Sequence, residues 1–168
     1  MAAIALLAAF LGANVTSISA VVRLDFLSFK DAALIDALLQ AMAATSADFT
    51  NTFRALSAAA EGANDRVLAE LGNTSAGNDW LDRWRTRVVP NTATPSARAA
   101  GMRRMNPAVT PRNHRVEAAL AAAVANDFEP FESLLQVIAT PWHDDPDGEP
   151  YRRSPAPEEV VQQTVCGT

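Results

Sequence analysis

A mainly α-helical fold, an antiparallel helical bundle followed by an extended proline-rich C-terminal tail, is what this sequence predicts, and three observations lead there. So much of the 49% hydrophobic content is alanine that helix propensity, rather than large apolar volume, dominates the composition. After Arg23 the apolar residues recur at helical spacing, and no run alternates in the two-residue manner of a half-buried strand. From Pro141 onward proline and charge replace that periodicity. The 168 residues fit one domain able to bury a core. The regions expected are an atypical apolar segment over 1–24, a helical region over 25–140 and a tail over 141–168.

The first helix carries Leu34, Ile35, Leu38, Leu39 and Met42 on one face, with Ser28 and Asp31 available for its free amides. Asp48 caps a second helix bearing Phe49, Phe53 and Leu56, which stops near Gly62. The short piece "DRVLAEL" ends at Gly72, and "GNTSAGN" has the composition of a loop. Asn78 is the expected cap of "DWLDRWRTRVV", with Trp80, Leu81, Trp84 and Val88 along one side. Thr94 and Pro95 form an N-cap and first helical residue, because a proline loses nothing where the amide would be unpaired. That helix must stop before Asn106-Pro107, since the residue preceding a proline is pushed out of helical geometry. Thr110-Pro111 repeats the device. Val116, Leu120 and Val124 mark the next helix face. Asp127 caps a last helix with Phe128, Phe131, Leu134, Leu135 and Ile138 on its apolar side, and the short connection predicts an antiparallel hairpin.

A net charge of −5 and a pI near 5.0 argue against nucleic acid as a partner. The charge is unevenly spread: between Leu81 and Arg115 there are eight arginines against the single acid Asp82. Guanidinium forks suit phosphate, but the arginines are dispersed over two helices and a turn. A seam in which they and Trp80 and Trp84 pack against another part of a larger protein is the preferred reading. The single cysteine, Cys166, rules out an internal disulfide and makes a reducing cytoplasm the default. The uncharged start is the one feature favouring export, with Met1–Ala20 as a signal peptide; it lacks a basic leading region and is interrupted by Gly12, Asn14, Thr16 and Ser17 before reaching the ~20 apolar residues of a spanning helix. No membrane association is expected.

No catalytic constellation can be assembled. His143, Asp144, Asp145, Asp147 and Glu149 offer oxygen ligands, but Pro146 and the short spacing break the alternation of a calcium loop, so a solvated acidic turn is expected. His114 and His143 are the only histidines, and neither has a serine or cysteine partner at motif spacing. A hydrogen-bonded structural role is expected for His114. The one lysine, Lys30, lies in no phosphate-binding context.

The stretch "MNPAVTPRNHRVEAALAAAVANDFEPFESLLQVIATPW", followed by a proline-rich tail ending in "VCGT", resembles the C-terminal region of the selenoprotein O family, also called SelO or YdiU. "DAALIDALLQAMAATSADFTNTFRALS" and "WLDRWRTRV" are similar to the family's preceding helices in the same order, so the resemblance runs from about Asp31 to Thr168. It implies a protein-kinase-like fold in the parent, with transfer of AMP from ATP to protein hydroxyls assisted by Mg or Mn; UMP transfer is also known for bacterial members. The family's glycine loop, lysine–glutamate pair, catalytic aspartate and metal ligands belong upstream of this part, so no catalytic, cofactor-binding or metal-binding residue carries over. The resemblance implies a redox role for Cys166, at the third-from-last position. Asn106, Pro107, Arg112, Asn113, His114 and Arg115 are expected to be docking residues: the prolines fix helix ends, and the polar side chains bond to carbonyls or carboxylates of neighbouring helices. The implied partners are a missing kinase-like catalytic lobe and the parent's protein substrates. A stand-alone helical binding module using the arginine seam is the alternative.

Overall fold

The computed structural model describes residues 29–88 and 93–161. The expectations for segment 1–24 and for Cys166 fall outside these residues. The described chain is helical and contains no strand. It divides into two compact units at Asn106/Pro107, inside the region 25–140 that periodicity alone reads as continuous.

Among the described residues, the first unit holds five helices: α1 (Phe29–Thr45), α2 (Phe49–Ala59), α3 (Asp65–Glu70), α4 (Ser75–Val88) and α5 (Pro95–Met105). α1 packs on α4, and α2 packs on both α3 and α5. Leu34, Ile35, Leu38 and Met42 of α1, Phe53 and Leu56 of α2, and Trp80, Leu81, Trp84 and Val88 of α4 share one core. The cap at Asp48 forms as expected: its Oδ1 accepts the Asn51 amide at 2.9 Å. Thr94 Oγ1 likewise accepts the Ala97 amide at 3.2 Å, with Pro95 following.

Two expectations are corrected here. α4 starts at Ser75, so the last four residues of "GNTSAGN" are helix rather than loop. The cap is Thr74, whose hydroxyl accepts the Gly77 amide at 3.1 Å, and Asn78 lies within the helix, its side chain donating to Thr74 O. Trp80 and Trp84 do not face outward. Trp80 and Trp84 stack with ring centroids 6.0 Å apart inside this chain's own core, and Trp80 Nε1 donates to Leu34 O at 2.7 Å. An indole that is fully apolar apart from one donor is stable in a core once that donor is met.

Gly72 shows why the α3–α4 connection needs glycine. Its φ is +67°, and a Cβ there would lie 3.1 Å from Thr45 Cγ2.

The second unit pairs α6 (Asn113–Val124) with α7 (Glu129–Ala139). The turn between them places Asn126 at φ 65°, a left-handed position that asparagine tolerates. α7 starts one residue later than the cap reading requires: the N-cap position is Phe128, and Asp127 Oδ1 accepts the Glu129 amide at 3.2 Å. The tail continues as a 3-10 turn over Pro146–Gly148, α8 (Glu149–Arg152) and a 3-10 turn over Pro157–Glu159. It is tied to its own unit, since the amides of Ala108 and Val109 both donate to Pro141 O, at 2.6 and 3.2 Å.

Candidate functional site

Two arginines of the first unit, Arg98 and Arg54, act on main-chain carbonyls. Arg98 is buried, and its Nη2 donates to Val88 O at 2.9 Å and to Ala93 O at 3.2 Å, so one guanidinium joins the end of α4 to the approach to α5. Arg54 of α2 reaches the other end of α5, where its Nη1 donates to Arg103 O at 3.1 Å and to Asn106 O at 2.8 Å. Arg103 pairs with Glu61 at 2.5 Å, and Arg85 bonds to Asn64 Oδ1. A helix's last carbonyls have no intrahelical donor, and Arg98 and Arg54 supply one. Asn106 is buried as the C-cap of α5, its amide donating to Met102 O, while Pro107 opens the second unit. Arg54 was not singled out by sequence, for a plain reason: its partners lie 49 and 52 residues away, and no local motif marks it.

In the second unit the residues around the start of α6 line a groove of about 320 Å³ together with the tail: Thr110, Pro111, Arg112, Asn113 and His114 on one side, Pro155, Glu159, Val160 and Val161 on the other. Arg112 occupies the N-cap position and makes no capping bond through its side chain. Arg115 Nη2 donates to Pro150 O at 2.7 Å, and its guanidinium lies 5.9 Å from the Tyr151 ring centroid. His114 departs from expectation: it is buried, and its Nε2 has no hydrogen-bond partner among the described residues. Burial holds its pKa below the ordinary 6.5, the cations Arg115, Arg153 and Arg112 push the same way, and Glu159 opposes them. Glu159 accepts from Arg153 at 2.6 Å and from the Ala156 amide at 2.8 Å, and the Arg153 bond above all holds its carboxyl down to about 2.

This groove can accept and donate hydrogen bonds, but its one carboxylate is already engaged. Among the described residues no group of three or more histidine, cysteine, aspartate or glutamate side chains is placed to hold a metal ion. His143, Asp144 and Asp145 are exposed, as a solvated acidic turn requires, and Asp144 pairs with Arg152 at 3.6 Å. Nor is any helix among the described residues long and apolar enough to cross a membrane.

Comparison with known proteins adds what the geometry lacks. Residues 10–139 match the family model of the protein adenylyltransferase SelO; the match ends with α7. A protein nucleotidyltransferase YdiU of Rhizobium etli is 50% identical over 141 residues, which is 82% of this chain and 28% of that protein. Two Bradyrhizobium proteins of the same name are each 49% identical over 140 residues, with the same coverage. The chain therefore spans little more than a quarter of the length of the curated relatives it matches. With the family model covering all the helices from α1 to α7 and relatives at about half identity, this chain belongs to the SelO family of protein adenylyltransferases.

Proposed function

We propose that this chain is a C-terminal helical segment of a SelO-like protein adenylyltransferase, matching the helical C-terminal part of the parent's kinase-like fold, and that it is catalytically inactive alone. The parent transfers AMP from ATP to serine, threonine or tyrosine hydroxyls of proteins. The observation that carries this reading is coverage: the chain matches relatives named as nucleotidyltransferases at about half identity, yet spans only 28% of them. On this reading the nucleotide and its divalent ion are bound by the remaining length. The whole sequence has one lysine, Lys30, and the described residues contain no metal-holding cluster. Phosphoryl and nucleotidyl chemistry depends on a cation-rich cradle and carboxylates that hold the metal.

What these helices supply is support. Arg54, Arg98 and Arg115 each fasten one segment to another through carbonyls, which makes rigid bodies rather than reaction centres. Incubating the purified chain with labelled ATP, Mg or Mn and a protein acceptor, beside a full-length YdiU relative, tests the reading. Label on the acceptor with the relative only is the expected result. Transfer by this chain alone overturns the reading.

A further inference from the structure

The clearest conflict between pattern and packing is in the second unit. Leu120 and Val124 are four residues apart on α6, and Phe131 and Leu135 are four apart on α7, with Phe128 at the helix's N-cap; such spacing aligns each set on one helix face. Sequence periodicity assigns these residues to a core, yet Val124 is 86% exposed, Phe128 54%, Leu135 48%, Leu120 47% and Phe131 38%. The hairpin already has its inward contacts, because Ala119 and Leu134 are buried. Large apolar side chains left exposed on both helices of one short hairpin are the kind of surface that marks an interface.

The charge of the hairpin itself indicates what covers it. Between Val116 and Ala139 the chain has four acids, Glu117, Asp127, Glu129 and Glu132, and no lysine or arginine, and all four acids are exposed. A second copy seated symmetrically on the same face would bring acid against acid, which like-charge repulsion disfavours. The occupant must instead be apolar with a basic border. The family match runs through this hairpin to residue 139, so the patch belongs to the part shared with proteins more than three times as long as the match. We infer that the α6–α7 face is the docking surface for the remaining part of the YdiU chain, which meets it with an apolar surface edged by lysine or arginine. This rests on the reading of the chain as a segment of a longer nucleotidyltransferase.

Thiol accessibility tests it. In this chain with Cys166→Ser, a Val124→Cys variant should react with an aromatic disulfide reagent at nearly the rate of the same protein unfolded in urea, at every protein concentration. In the full-length Rhizobium etli relative, a cysteine at the position aligned with Val124 should react at least a hundredfold more slowly than in urea. Leu120→Cys and its aligned position provide a second pair should the first disturb folding. Equal reactivity of the relative, folded and unfolded, overturns the inference, as does protection of this chain that grows with its own concentration, which would identify a second copy as the occupant. Nucleotidyl transfer by the relative is read separately, so a loss of the functional reading and a loss of the docking surface are distinguishable.

Discussion

Arg98 places a cation in the first unit's interior because two carbonyls need it. Its Nη2 serves both Val88 O and Ala93 O. Arg98→Ala leaves both acceptors short of a donor, at an expected cost of about 1–3 kcal/mol, measurable as a lowered urea midpoint with an unchanged slope. His114 carries a pH signature. Its folded pKa lies below 6.5 because burial disfavours the cation, so the unfolded chain binds the proton more readily. Stability is then full above about 6.5 and falls as pH drops from there through the folded pKa. Glu159 acts in a lower window: its pKa is held at about 2 rather than 4.5, so its contribution is present above 4.5 and is lost as pH falls toward 2. His114→Gln should remove the upper phase of a stability-versus-pH profile followed by circular dichroism and leave the lower one. An unaltered upper phase would show that His114 does not cause it.

Helix ends were legible in the sequence wherever one side chain or one ring decides them. Asp48, Thr94-Pro95 and Asn106-Pro107 each act within four residues, and the structure has α2 and α5 beginning and ending there. Asp48→Ala removes the bond to the Asn51 amide and should cost about 1 kcal/mol, seen as a lower thermal midpoint. The α4 start was not legible, because Thr74 and Asn78 are both good caps and only the packed structure selects between them. Periodicity located the apolar faces but not what they meet. Trp80 and Trp84 turn inward to α1, whereas Val124 and Phe128 turn out. A hydrophobic stripe records that a face is covered, not by which part of a protein, and from one sequence those outcomes look alike. Arg54 and Arg98 were hidden for a related reason: their partners are carbonyls, which every residue has.

Each of the two units assembles helix ends and arginine braces, the second also has an exposed apolar hairpin, and among the described residues no group of three or more histidine, cysteine, aspartate or glutamate side chains is placed to hold a metal ion. A replacement of the arginine aligned with Arg112 by alanine in a full-length relative is therefore expected to lower the melting temperature while leaving ATP affinity unchanged. A tenfold weaker affinity with unchanged melting, ~1.4 kcal/mol of binding lost, would contradict the docking role. The central claim is that this chain supports a reaction carried out elsewhere in the protein. Its most direct test is equilibrium binding of ATP with Mg or Mn to the isolated chain, because binding must precede transfer and the measurement does not depend on choosing the right acceptor. The account predicts no saturable binding up to millimolar ATP, where the full-length relative saturates. A dissociation constant for this chain matching that of the relative would contradict it.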